Sequence, residues 1–234
     1  MKEVVPGVFM MDGLLGANVY LLQSGNGTVL VDSGMHADID KILAQVEHAQ
    51  TVTSIVLTHF HGDHVGGAAD LSKQWGTPVM AHKDDAPFII KPTSIPAFSG
   101  YKQLMSWVAA NVVLRSPPCS ISRQLEDGDK MDALDGWVII HTPGHTLGSI
   151  CLYQPERQIL LCGDAIYNEN PVTRKPGMGL YLRRITLDNA MALKSVRKLS
   201  RLPIKVLCFG HGEPIVEGAG EQIEKLLANY PPDT

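Results

Sequence analysis

The segment Thr58-His59-Phe60-His61-Gly62-Asp63-His64-Val65-Gly66-Gly67 follows the apolar run Ser54-Ile55-Val56-Leu57 and sets four metal-ligand side chains within six residues. A short apolar run of this kind reads as a buried strand, and the glycines after it read as the turn into a helix. The chain must therefore fold so that a strand end delivers a cluster of imidazole and carboxylate groups. Imidazole with carboxylate suits zinc, iron or manganese, whereas calcium and magnesium take mainly oxygen ligands. His59 and His61 are two apart, so on an extended segment both can face one metal. The adjacent Asp63 and His64 are expected to diverge and to serve a neighbouring site.

Three later positions repeat the same grammar of an apolar run, a glycine and a ligand. Trp137 to Ile140 leads to His145, Ile159 to Gly163 leads to Asp164, and Val206 to Gly210 leads to His211. Strand ends that converge on one rim hold ligands rigidly, as a metal centre requires. His36, His48, His82 and His141 lack such a context and are expected outside the ligand set.

Around these positions the chain reads as two groups of strands, each followed by helices. Strands are expected at Gly7–Met11, Asn18–Gln23, Thr28–Asp32, Ser54–Leu57 and Pro78–Ala81, with helices at 37–48 and 67–75. The second group comprises strands at Trp137–Ile140, Ser149–Tyr153, Gln158–Leu161 and Lys205–Phe209, with helices at 187–200 and 220–229. Two sheets packed face to face with helices outside would bury both strand sets, an α+β arrangement in four layers. The 234 residues are read as a single domain. A proline-bounded segment at about 86–118 interrupts the pattern. Its apolar stripe of Tyr101, Leu104, Met105, Val108 and Val112 predicts an inserted helix, with core packing, a roof over the site and a dimer contact all open to it.

Composition narrows the function. A formal net charge of −4 argues against a general nucleic-acid binder. Nine basic residues against one acidic lie between Pro171 and Lys205, but Lys194, Arg197, Lys198 and Arg201 fall on one helix face and read first as a solvated surface. No run approaches the roughly 18 apolar residues that span a bilayer, and the first residues lack a leader pattern, so a cytoplasmic location without a membrane is expected. Cys119, Cys151, Cys162 and Cys208 form no Cys-x-x-Cys pair, and buried core thiols are expected.

The ordered set His-x-His-x-Asp-His, histidine, aspartate, histidine resembles the metallo-β-lactamase superfamily over almost the whole chain. Val31-Asp32-Ser33-Gly34 is similar to that family's early aspartate motif, in which the aspartate supports the ligands through hydrogen bonds. The resemblance implies the αββα sandwich. It places His59, His61 and His145 on one metal and Asp63, His64 and His211 on a second, with Asp164 bridging. Penicillin-hydrolysing members commonly lack a bridging aspartate, so Asp164 argues against β-lactams as substrates.

The implied activity is a hydrolase using two zinc ions, with iron or manganese as alternatives, and a metal-bridging hydroxide that attacks a small ester, lactone or thioester. The ligand set is similar to those of hydroxyacylglutathione hydrolases (glyoxalase II) and acyl-homoserine lactonases. In the lactonases a tyrosine spaced as Tyr167 is from Asp164 points at the substrate oxygen, and Asp63 is the second catalytic candidate through proton handling. Two alternatives share the fold: an iron-dependent persulfide dioxygenase using His59, His145 and Asp164, and a phosphodiesterase or ribonuclease. The expected partner is a small molecule, not nucleic acid, with a homodimer left open.

Overall fold

Each apolar run that the sequence marks as a strand does form one in the computed structural model, which describes residues 1–46, 52–92, 116–171, 173–181 and 186–231. Two units are distinguished: residues 1–126 with 132–135, and residues 127–131 with 136–234.

The first unit is built on a seven-stranded sheet in sequential order. Strands β1 (Lys2–Val5), β2 (Val8–Met10), β3 (Tyr20–Ser24) and β4 (Gly27–Val31) form an antiparallel meander. Strands β5 (Ser54–Leu57), β6 (Val79–His82) and β7 (Arg123–Leu125) then add in parallel. Parallel neighbours need crossover connections, and helices supply them. A 3-10 turn (His36–Asp38) and α1 (Ile39–Val46) join β4 to β5; α2 (Gly62–Val65) and α3 (Ala68–Trp75) join β5 to β6. Strand β5 is buried along its whole length, as its unbroken apolar run requires. Ile42 and Val46 of α1 and Ala68 and Leu71 of α3 join the core with Leu30, Ile55, Leu57 and Val79. Helix α4 (Ala86–Ile90) follows β6 and packs Phe88 and Ile89 on the same core.

The second unit carries a four-stranded sheet made of β8 (Val138–His141), β9 (Ile150–Gln154), β10 (Ile159–Leu161) and β13 (Val206–Cys208), ordered β13-β10-β9-β8. Only β10 and β13 run parallel. Between them lie a hairpin of β11 (Tyr167–Glu169) with β12 (Pro176–Gly179) and helix α5 (Asn189–Leu199). Asp188 caps α5 by accepting the Met191 amide at 2.9 Å. Helix α6 (Ala219–Ala228) adds Ile223 and Leu226 to a core with Val196, Leu199, Leu207 and Phe209.

The helices expected near 37–48, 67–75, 187–200 and 220–229 are present among the described residues, with the first beginning as a 3-10 turn. Strands β1, β7, β11 and β12 were not expected; their sequences KEVV, RQL, YNE and PGMG are polar or carry proline and glycine. The helical stripe from Tyr101 to Val112 lies outside the described residues, as does His48. Two residues of the basic face of α5 are tied into the fold: Arg197 donates to the Tyr230 carbonyl, and Lys198 meets Asp127 at 2.8 Å. All four cysteines are buried and free. Among the described residues no helix is long and apolar enough to cross a membrane.

Candidate metal centre

In the first unit the ligand segment leaves β5 and turns at once into the four-residue helix α2. His61 stands before its first turn in extended conformation, with its carbonyl accepting the His64 and Val65 amides at 2.9 and 3.0 Å. His59 Nε2 and His61 Nδ1 come within 3.0 Å, and the His59 and His64 rings lie 4.0 Å apart. The i, i+2 pair therefore faces one point, as the extended reading predicted. Asp63 and His64 do not diverge: helical winding brings His64 Nε2 to 4.0 Å from the Asp63 carboxylate. Alternation of neighbours holds for a strand and fails for this helical turn.

Asp32 stands at the end of β4 with φ of +63°, a left-handed backbone that aspartate tolerates better than most residues. Its carboxylate accepts the Thr58 amide at 2.7 Å and the Thr58 hydroxyl at 2.9 Å, and Oδ2 lies 2.8 Å from His64 Nδ1. A carboxylate on Nδ1 fixes that nitrogen as the donor and leaves Nε2 as the nitrogen that could hold a metal. The Thr58 hydroxyl also lies 3.1 Å from His59 Nδ1, which orients the second ring in the same sense. These bonds are the ones a supporting role for Asp32 would use.

The carbonyls of α2 are held from outside. Ser33 gives its amide and hydroxyl to the His64 carbonyl at 2.7 and 2.8 Å, and the Ala17 amide reaches the Asp63 carbonyl at 3.2 Å. Asp38, fully buried, secures the chain just before Ala17 by accepting the Leu15 and Gly16 amides at 2.7 and 3.1 Å.

In the second unit His145, Asp164 and His211 are each almost fully buried. A single oxygen of Asp164, Oδ2, lies 3.5 Å from His145 Nε2 and 3.7 Å from His211 Nε2. These separations exceed a good hydrogen bond. They fit donors sharing ions, since two ligands each about 2.0–2.2 Å from a tetrahedral ion lie about 3.3–3.6 Å apart. Gly144, before His145, has φ of +137°, and a Cβ there would fall 2.2 Å from the Ala192 nitrogen of α5. Only glycine allows this approach.

Tyr167 lies against Gly179, where a Cβ would stand 2.3 Å from its hydroxyl oxygen, and its ring centroid is 4.7 Å from that of Tyr181. Tyr181, which sequence reasoning missed, is buried and stands 5.1 Å from the His145 ring and 6.4 Å from His211. With Thr142, Asp164 and Thr186 it lines a small cavity beside His145. No local spacing singles it out within Gly179-Leu180-Tyr181.

His36, His82 and His141 are engaged elsewhere: His36 Nδ1 lies 3.3 Å from Asp70, His82 Nδ1 lies 3.6 Å from Asp84, and His141 Nε2 lies 2.8 Å from the Leu147 carbonyl.

Comparison with known proteins agrees with this donor chemistry. The family model described as the metallo-beta-lactamase superfamily matches residues 12–211. The probable metallo-hydrolase YflN of Bacillus subtilis is 28% identical over 217 residues, 85% of this chain and 81% of that protein. The human acyl-coenzyme A thioesterase MBLAC2 is 27% identical over 92% of this chain and 78% of its own. Among solved structures, TTHA1623 in a di-iron-bound form superposes with a TM-score of 0.68 at 28% identity, covering 96% of this chain and 99% of that one. The α+β metallo-β-lactamase fold expected from the sequence is therefore the fold of this chain, and its buried imidazoles and carboxylates fit the metal-binding role of such proteins. The chain belongs to the metallo-β-lactamase superfamily.

Proposed function

We propose that this protein is a two-metal hydrolase of small esters, lactones or thioesters. The observation that carries the reading is Asp164, whose single oxygen faces Nε2 of both His145 and His211, as a bridge between two ions would. His59, His61 and His145 would hold one ion and Asp63, His64 and His211 the other, the superfamily's assignment carried onto these positions. When bound, such a pair supplies an acidified water and Lewis-acid polarisation of the scissile carbonyl.

The chain's own residues do the rest. Asp32 and Thr58 keep the His64 and His59 rings turned so that each offers Nε2. Asp63, more exposed than Asp164, would move a proton at its oxygen as the tetrahedral intermediate breaks down. Tyr167 would donate a hydrogen bond to the substrate oxygen, with Tyr181 closing the apolar side. Within the substrate set, the acyl-coenzyme A thioesterase relative favours thioesters.

Zinc is the proposed occupant. A second reading has one specific support, the di-iron-bound form of TTHA1623, which favours iron in the same ligand set. The deciding experiment measures metals on protein purified without added metal, then assays that sample on thioesters, lactones, phosphodiesters and glutathione persulfide. Two zinc per chain with thioester or lactone turnover is the expected result. One iron with oxygen uptake on the persulfide would replace hydrolysis by dioxygenation. Retained metal and turnover in His59→Ala would overturn the assignment altogether. Tyr167→Phe should slow turnover while metal content is unchanged.

A further inference from the structure

Asp85 is a fully buried carboxylate at the start of α4, outside every motif the sequence displays. Its position is the one where aspartate ordinarily caps a helix by accepting an amide of the first turn. Here the side chain makes no capping bond. It reaches instead to the amide of Phe60, 25 residues earlier, and accepts it at 3.0 Å. Phe60 is the residue between His59 and His61.

The contact is not isolated. The next residue toward β5 on the other side of His59, Thr58, gives its amide to Asp32 at 2.7 Å. The backbone is thus gripped by a buried carboxylate immediately before and immediately after His59. Phe88, on the same helix as Asp85, places its ring 5.0 Å from that of Phe60, and Phe60 in turn lies 5.0 Å from His61. Helix α4 therefore fixes Phe60 by its backbone through Asp85 and by its ring through Phe88.

A buried carboxylate is costly unless its bonds are made, and one that leaves the local cap unmade while accepting a distant amide contributes to holding that amide in place. We infer that Asp85 is a positioning residue for the metal ligands: by holding the Phe60 amide it sets the separation and direction of His59 and His61. This rests on the proposed metal site. A ligand pair with 3.0 Å between its nitrogens has little tolerance for backbone drift, and supporting groups of this kind are worth about 10–100-fold in metal affinity.

The test measures zinc affinity by competition with a chromophoric chelator, alongside amide hydrogen exchange at Phe60 in the metal-free protein. Asp85→Ala, scored on its folded fraction by near-UV circular dichroism, should bind zinc at least about 10-fold more weakly, with faster exchange at Phe60. Asp85→Asn keeps an acceptor oxygen and should stay within about 3-fold of wild type by the same reasoning. Wild-type zinc affinity in folded Asp85→Ala overturns the inference, and so does Asp85→Asn binding as weakly as Asp85→Ala. Should Asp85→Ala fail to fold, wild-type exchange decides alone: an unprotected Phe60 amide in metal-free protein overturns the inference. A wild-type protein that takes up no zinc or iron, yet protects Phe60, refutes the metal reading and leaves the hydrogen bond standing.

Discussion

Asp32→Ala removes the acceptor on which both halves of the first-unit ligand segment depend. Three donors converge on that carboxylate: the Thr58 amide at 2.7 Å, the Thr58 hydroxyl at 2.9 Å and His64 Nδ1 at 2.8 Å. The hydroxyl keeps one partner, His59 Nδ1, 3.1 Å away, from which it accepts. The Thr58 amide and the His64 Nδ1–H are left unsatisfied in a buried place, since Thr58 and His64 are 2% and 0% exposed. Each orphaned donor costs about 1–3 kcal/mol, giving about 2–6 kcal/mol for the pair. That is a large share of the about 5–15 kcal/mol that holds an ordinary domain together. The backbone adds a second, separable term. At φ of +63° alanine is strained, whereas glycine is not. Asp32→Gly orphans the same donors without the Cβ penalty and should be less destabilised than Asp32→Ala by about 1 kcal/mol. Urea unfolding of protein stripped with EDTA, followed by far-UV circular dichroism, reads both terms without metal linkage. The expected order of stability is wild type, then Gly, then Ala. A loss under about 1 kcal/mol for alanine would show that the three bonds do not hold the segment. Glycine no better than alanine would show that the left-handed backbone is not a constraint.

Gly144→Ala should cost about 3 kcal/mol or more and displace His145, because its Cβ would meet the α5 backbone at Ala192; Gly76→Ala, at φ of +64° with nothing within 4 Å, should cost only about 1 kcal/mol. Equal melting temperatures for the two variants would contradict this. Burial pushes the Cys119 thiol up to about 11 and the Cys151 thiol up to about 12, so the native protein should leave Ellman's reagent unreacted at pH 8 and react fully in urea. Fast labelling of any native thiol would be the contrary result. Burial acts to raise the Asp127 carboxyl, but the Lys198 ammonium and the His141 amide outweigh it and lower it overall. Such a group stabilises the fold above its unfolded value and loses that contribution as pH falls through the folded one. Asp127→Asn should therefore cost a few tenths of a kcal/mol at pH 7, discounted because the pair is half-exposed, and the gap should close below the ordinary carboxylate range of about 3.9. A gap that widens on acidification would reverse the sign.

What the sequence made legible is what leaves a local trace. Strand β5 and the histidines after it are contiguous, and the apolar periods of α1, α3, α5 and α6 are read within a single window. Strands β1 and β7 escape such reading because Lys2, Glu3, Arg123 and Gln124 give them no apolar alternation, although their backbones pair with neighbours all the same. Asp63 and His64 come together rather than diverge for a related reason: α2 winds at His61, where a continued strand would alternate them. Asp38, Asp85 and Tyr181 were illegible for a stronger reason. The amide Asp85 holds is 25 residues away and those Asp38 holds are 22 and 23 residues away, while Tyr181 meets His145 from 36 residues away, and no spacing rule operates at that range.

The same long-range bonds separate the fold from the identity of the metal. His59 is flanked by amides bound to Asp32 and Asp85, and the carbonyls of Asp63 and His64 are bound by Ala17 and Ser33. None of these four bonds uses a ligand side chain as its anchor. The ligand segment is therefore placed by its backbone, and the side chains inherit their positions from it. A site placed this way does not depend on the metal for its shape, so the ions meet donors that are already oriented. It also follows that exchanging one ligand type for another changes which ion is preferred while leaving the backbone grip intact. On this account one scaffold can accept different ions, of which the di-iron-bound form of TTHA1623 is one case, and the preference in any one chain is decided by the donors carried on that backbone.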